Sequence, residues 1–85
     1  MKTIKFHGNK NMISKKVKDA REKLNMSQND LAIAMQTYGI CIDQQAISKI
    51  ERNLRIVADY EIVCLCKILK VDEKWLLSYC YDLIT

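Results

Sequence analysis

The chain lacks proline entirely, and none of its apolar stretches approaches the roughly 20 residues needed to cross a bilayer. Because proline interrupts helices, its absence together with 49% hydrophobic residues suits a compact helical domain rather than a disordered chain. The first residues also lack the apolar core of a signal peptide. We therefore expect one small intracellular domain, located in the cytoplasm and without a membrane segment.

Residues that carry covalent or metal chemistry are also scarce. The chain has one histidine, and its two glycines form no phosphate-cradling loop. No C-x-x-C pair occurs among the four cysteines, which are Cys41, Cys64, Cys66 and Cys80. Cys64 and Cys66 lie about 200° apart around a helix axis, so they cannot grip one metal ion together. We expect structural thiols, with redox sensing by Cys80 as the alternative. An enzyme is not expected, nor is a cofactor, a metal or a small-molecule ligand.

Positive charge is concentrated at the start of the chain. Residues 1–24 carry eight lysines or arginines and two acidic side chains, a net charge of +6, whereas the remaining residues carry a net charge of −2. A basic segment beside a nearly balanced body suits a phosphate-rich partner such as nucleic acid. A merely solvated basic face would show the same distribution.

The apolar spacing predicts an all-α domain of five short helices over residues 13–79. The first helix is expected to begin near Ile13–Ser14, and Ser27 with Asp30 is expected to cap the second. Gly39 is expected to end the second helix, because glycine adopts positive φ without steric cost. The predicted starts of the third, fourth and fifth helices are Asp43, Asp59 and Asp72.

The segments at the two ends of the chain fall outside the predicted helices. Residues 1–12 show no helical pattern and are predicted to form a basic arm, extended or disordered, and residues 80–85 a tail. Asn25 and Asn53 are expected to terminate helices.

Each predicted helix has an apolar stripe that we expect to be buried. The predicted core comprises Ile13, Val17, Ala20, Leu24, Leu31, Ala32, Met35, Ala46, Ile47, Ile50, Ile62, Leu65, Cys66, Leu69, Trp75, Leu76 and Tyr79.

Three motifs follow one another at defined separations. They are V-K-D-A-R-E-K-L-N-M-S-Q-N-D-L-A from residue 17, Q-Q-A-I-S-K-I-E from residue 44 and V-D-E-K-W-L-L from residue 71. This ordered set resembles the Cro/CI-type (XRE-family) helix-turn-helix domain of phage repressors and small bacterial regulators. The resemblance covers about residues 13–77, and it implies a phage-repressor-like bundle of five helices that binds double-stranded DNA and regulates transcription.

By this resemblance, the third helix, Gln44–Arg52, is expected to lie in the DNA major groove. A glutamine amide can pair with adenine, and a lysine ammonium can donate to guanine. The side chains at base-reading positions are Gln44, Gln45, Ser48 and Lys49. The side chains at phosphate-contacting positions are Gln28, Arg52, Asn53 and Arg55. The alternative for each of them is an ordinary solvated polar group.

The resemblance also implies a structural ion pair between Arg21 and Glu51, which would join the first and third helices. Leu31 and Ile47 are sixteen residues apart, about five more than is usual in the family. This spacing is typical of a subgroup with a long connection between its second and third helices. It predicts a second helix longer by about a turn and a longer connection. Lys70 and Asn53 stand where a helix-ending glycine is common in the family.

Several apolar residues fall outside the predicted core, and they leave two interpretations open. Val63, Ile68, Tyr81, Leu83 and Ile84 could form the interface of a homodimer, which would suit a two-fold-related DNA site. Alternatively, the tail could fold back onto the first helix. The second function that we consider is a protein-interaction module, such as an antitoxin-like partner.

Overall fold

A computed structural model describes residues 6–84, and within this range the chain is all-α, as predicted. It forms six helices: α1 (Ser14–Lys23), α2 (Gln28–Gln36), α3 (Gln44–Glu51), α4 (Asp59–Leu69), α5 (Glu73–Leu76) and α6 (Ser78–Ile84). None of these helices combines the length and apolar character that a membrane crossing requires. The prediction of five helices was one too few, because residues assigned to the fifth helix and the tail form α6 after a break at Leu77.

The predicted helix starts are confirmed, but only some carry a side-chain cap. Ser27 and Asp30 form a reciprocal capping box at α2, with Ser27 Oγ accepting from the Asp30 N–H at 2.9 Å. Asp43 Oδ1 accepts from the Ala46 N–H at 2.8 Å and caps α3. At α4 the cap is Glu61, whose Oε1 accepts from the Ala58 N–H at 2.9 Å. Asp72 occupies the cap position of α5 without a side-chain hydrogen bond.

Three non-glycine residues in the left-handed conformation end helices of the bundle. They are Asn25 with φ 55°, Asn53 with φ 60° and Lys70 with φ 58°. The prediction that Asn25 and Asn53 terminate helices is therefore confirmed. Lys70 also occupies the conformation that glycine adopts most easily.

The core is formed by the faces on which α1–α5 meet, and most of its predicted members are buried. Leu24 was expected in the stripe of α1, but it is 38% exposed because α1 ends at Lys23 and the chain turns there. Trp75 and Tyr79 are about half exposed. Ala46 and Ile62 are only partly buried. The fully enclosed members include Val17, Leu31, Met35, Ile47, Ile50, Leu65 and Leu76.

The connection between α2 and α3 contains the extra residues noted in the sequence. The expected lengthening of the second helix is not found: α2 has nine residues and ends at Gln36, because a turn through Thr37–Gly39 follows. Gly39 (φ 84°) closes this turn rather than the helix itself. Gln36 Nε2 donates to the Ile42 carbonyl at 2.7 Å, and the buried Ile42 side chain anchors the connection to the core.

Lys16 of α1 contacts α5 and the first two residues of α6, and the two interpretations of the tail, residues 80–85, both stay open. Lys16 Nζ of α1 donates to the Trp75 carbonyl at 2.7 Å and to the Ser78 hydroxyl. The same ammonium lies 4.9 Å from the ring centre of Trp75 and 4.4 Å from that of Tyr79, distances that allow cation–π attraction. Tyr81, Leu83 and Ile84 nevertheless remain exposed.

Candidate nucleic-acid interface

Helix α3 is held from inside by apolar residues and presents polar residues outside. Ile47 and Ile50 are completely buried where α3 packs against α1 and α2. Gln44, Gln45 and Lys49 are exposed, and Ser48 is half-buried. The predicted base-reading residues therefore share the outward face of one helix. Amide, hydroxyl and ammonium groups on such a face can hydrogen-bond base edges.

A buried polar network fixes the end of α3 against α1 and the start of α2. Arg21 Nε donates to Glu51 Oε2 at 2.7 Å, and Arg21 Nη2 donates to Glu51 Oε1 at 3.0 Å. The exposed fractions of the two side chains are 10% and 2%. Arg21 Nη1 also donates to the Met26 carbonyl at 2.7 Å, so the guanidinium spans the α1–α2 turn as well. The hydrogen bonds with Glu51 raise the pKa of Arg21 above its ordinary value.

Gln28, a predicted phosphate-contacting residue, joins the same network. Its Nε2 donates to Glu51 Oε1 at 3.0 Å. An amide nitrogen carries two hydrogens, so the second hydrogen stays available to an oxygen outside the protein. Gln28 is also the first residue of α2, where the positive end of the helix dipole favours an anion.

The other predicted phosphate-contacting residues lie at or just after the end of α3, in different surroundings. Arg52 is exposed, and its Nε donates to Ser48 Oγ at 3.2 Å. Arg55 forms a bidentate pair with Glu61, with both nitrogen–oxygen distances at 2.8 Å. The Arg55 side chain is 30% exposed and that of Glu61 only 4%. The hydrogen bonds from Arg55 lower the pKa of Glu61 below its ordinary value of 4.5, against the opposing effect of burial.

Most hydrogen-bonding groups of the Asn53 side chain already have partners within the protein. Its Oδ1 accepts from the backbone N–H groups of Lys10 at 2.9 Å and Asn11 at 3.0 Å. Its Nδ2 donates to Asn9 Oδ1 at 2.5 Å. A phosphate contact by Asn53 would therefore use the second Nδ2 hydrogen. Its role in phosphate binding stays a prediction, as do those of Gln28, Arg52 and Arg55.

The portion of the predicted N-terminal arm that the structure describes contacts this same loop. Phe6 and Asn9 exchange backbone hydrogen bonds of 2.8 and 2.9 Å across a tight turn at His7 and Gly8. Residues 9–11 then contact Asn53. Lys2 and Lys5, assigned to the arm from the sequence, lie outside the described residues.

Sequence reasoning missed the polar roles of Asn9, Asn11 and Glu61. Asn9 lies in the predicted arm, where no local pattern signals its contact with a residue 44 positions away. Glu61 did offer a signal, because an acidic residue at the third position of a helix commonly caps it. An arginine six residues earlier could then have been considered as its partner.

The cysteines show no arrangement for metal chemistry. All four thiols are free; Cys64 and Cys66 are buried in α4, and burial raises the pKa of both. Cys41 is exposed and Cys80 half-buried. Within residues 6–84, no three His, Cys, Asp or Glu side chains cluster as metal ligands would.

Comparison with known proteins identifies one protein family. The family model described as Helix-turn-helix matches residues 17–76, which is more than half of the chain. The match extends from α1 to the end of α5, so it includes α3 and its outward polar residues. No curated protein and no solved structure matches the chain significantly.

Proposed function

Because the chain belongs to the helix-turn-helix family of DNA-binding transcription regulators, we propose that it binds double-stranded DNA in a sequence-specific way and as a homodimer. In this proposal α3 enters the major groove, and Gln44, Gln45, Ser48 and Lys49 contact base edges. The observation that carries the proposal is the outward polar face of α3 on a helix whose inner face is completely buried.

The phosphate contacts would come from the two ends of the helix pair α2–α3. Gln28 offers an amide hydrogen at the start of α2, and Arg52 offers an exposed guanidinium just after α3. Arg55 and Asn53 would act from the following loop with the donor hydrogens that their internal bonds leave over. Such contacts position a protein on DNA but carry no base information.

The homodimer is proposed from apolar side chains that α4 and α6 leave exposed. Val63 on α4 is 55% exposed, and Leu83 and Ile84 on α6 are 48% and 72% exposed. A second copy covering them would place two α3 helices on one DNA, so that two modest contacts become one strong contact. The same exposed residues favour the second candidate function, an interaction module that uses this surface to bind a different protein.

Selection of binding sites from a random duplex library tests both candidates together. We expect recovered sites with two related half-sites, and we expect Gln44→Ala or Lys49→Ala to reduce the preference for them by about 1–3 kcal/mol. Gln28→Ala should weaken selected and unselected duplexes alike, because a phosphate contact does not distinguish bases. Lys74→Ala, an exposed change on α5, is the control.

Two results would contradict the proposal. The first is a selection that recovers no preferred sequence while a protein partner co-purifies in stoichiometric amount, which would favour the interaction module. The second is an unchanged sequence preference in Gln44→Ala and Lys49→Ala, which would remove α3 from its assigned role as reader.

A further inference from the structure

Three asparagines fasten the N-terminal segment to the end of α3. Asn53 bonds to Asn9, Lys10 and Asn11 at 2.5–3.0 Å. Asn11 Nδ2 donates in return to the carbonyls of Ile50 and Arg55, each at 3.0 Å. Asn11 Oδ1 also accepts from the Ile13 N–H at 3.1 Å, just before α1 begins. We call Asn9, Asn11 and Asn53 the asparagine clamp.

The clamp is attached to the last turn of α3, the helix that is proposed to lie in the major groove. Ile50 lies in the last turn of α3, and its carbonyl accepts both from the Asn53 N–H at 3.1 Å and from Asn11 Nδ2 at 3.0 Å. Asn53 reaches Asn9 and the N–H groups of Lys10 and Asn11 because its φ of 60° turns the chain directly after the helix. The segment from Asn9 to Asn11 is thus fixed relative to α3 by contacts from several sides.

Lys10 is the charged residue within this fixed segment. Its backbone N–H is bound to Asn53 Oδ1, one residue beyond Arg52. The lysine stem is flexible, but its base is held beside the loop that carries Arg52 and Arg55, and Lys10 belongs to residues 1–24, whose net charge is +6. A duplex that lies along α3 would bring phosphates to this loop.

We propose that the asparagine clamp is a positioning device that holds Lys10 as a DNA phosphate contact at the end of the recognition helix. The inference rests on the proposed function and extends it, because it assigns a further phosphate-binding residue and the residues that place it. Asn53 then acts on DNA through Lys10 as well as through any contact of its own.

The test is the salt dependence of binding to a duplex of arbitrary sequence, measured with the full chain. A phosphate contact on duplex DNA contributes about 0.9 to the log–log slope of affinity against salt, whatever the base sequence. We expect Lys10→Gln to reduce the slope by about this amount, and the matched control Lys74→Gln, on α5, to leave the slope unchanged. In an Asn53→Gly background, Lys10→Gln should reduce the slope by less than half as much.

Glycine is chosen at position 53 because it keeps the positive φ while removing the side-chain bonds. If Asn53→Gly does not fold, Asn9→Ala, which removes the partner of Asn53 Nδ2, takes its place in the same comparison. An unchanged slope in Lys10→Gln would overturn the inference, and so would equal reductions with and without the clamp. A failure of the parent protein to bind any duplex would instead overturn the proposed function, and the inference with it.

Discussion

The region before residue 54 and the region after it use the same kind of buried ion pair over very different sequence distances. In the first region, Arg21 and Glu51 are 30 residues apart and join α1 to α3. In the second, Arg55 and Glu61 are six residues apart and close the loop that leads into α4. Both glutamates are almost completely hidden, but Arg55 is 30% exposed against 10% for Arg21.

The two regions also differ in the residues that begin and end their helices. In the first region, Ser27 and Asp43 cap their helices with side-chain oxygens, and Asn25 adopts the left-handed conformation that asparagine tolerates. In the second region, Glu61 caps α4, but Asp72 makes no side-chain cap and Lys70 adopts a left-handed conformation that is costly for lysine. The residue types at the ends of α2 and α3 therefore suit their backbone conformations, whereas Lys70 at the end of α4 does not.

We infer that the contribution of a buried ion pair to stability depends on which elements it connects. Loss of a long-range pair removes a polar link between two helices that lie far apart in the sequence, whereas loss of a local pair loosens one loop. We therefore expect the same chemical change to have unequal effects in the two regions.

The largest effect is expected from Glu51→Ala. The change leaves the guanidinium of Arg21 buried without its partner, and it also removes the acceptor of Gln28. Breaking a buried pair in this way costs about 3–5 kcal/mol, a large part of the stability of a small domain. The measurement is the free energy of unfolding by urea at neutral pH.

Glu73→Ala is the control for that measurement, because Glu73 is exposed on α5. The comparison between the regions would fail if Glu51→Ala unfolded at the same urea concentration as the control. It would also fail if Glu61→Ala proved the more damaging of the two changes.

An intermediate effect is expected from Glu61→Gln, and it should depend on pH. Because the folded pKa of Glu61 is lowered below 4.5, its contribution to stability is present above that pH and is lost as the pH falls through the folded pKa. Glutamine keeps the shape but not the charge, so we expect a loss of about 1–3 kcal/mol at neutral pH.

The deficit of Glu61→Gln relative to the parent should narrow on acidification below pH 4.5, since the parent then loses the same charge. Urea unfolding at a series of pH values measures it, with the exposed Glu22→Gln as the matched control. A deficit that stayed constant from neutral to acidic pH would mean that the charge of Glu61 does not contribute.

The same contrast explains how much could be predicted from the sequence. Helix starts such as Ser27 and Asp43, and ends such as Asn25, are local signals in which a few residues carry the whole physical cause. The length of α2 could not be predicted from the sequence, because the spacing between two motifs does not say whether a helix or a connection contains the added residues. The prediction that Leu24 is buried was wrong because the apolar spacing in the sequence continues past Lys23, where α1 ends.

The candidate interface was predictable only where a known family pattern supplied the register. The outward positions of Gln44 and Lys49 follow from the apolar spacing of α3, but their proposed base-reading role comes from the resemblance. The bond between Asn53 and Asn9 follows from neither, because it depends on how the chain before α1 meets the end of α3 in three dimensions. Such contacts depend on tertiary packing, which periodicity does not encode.

The smallest effect is expected from Lys70→Gly, and it should be stabilising. Lys70 ends α4 with φ 58° and ψ 45°, a conformation in which a side chain clashes with the following carbonyl and costs about 1–2 kcal/mol. Glycine removes this cost but loses more chain entropy on folding, so the net gain should be about 0.5–1 kcal/mol. Lys70→Ala is the matched control, because alanine lacks the lysine stem but keeps the Cβ that causes the strain. A higher unfolding free energy in Lys70→Gly with none in Lys70→Ala would place the weakness of this region in the backbone. Equal gains in both variants would place it in the lysine side chain, and the contrast between the helix ends of the two regions would then lose its physical basis.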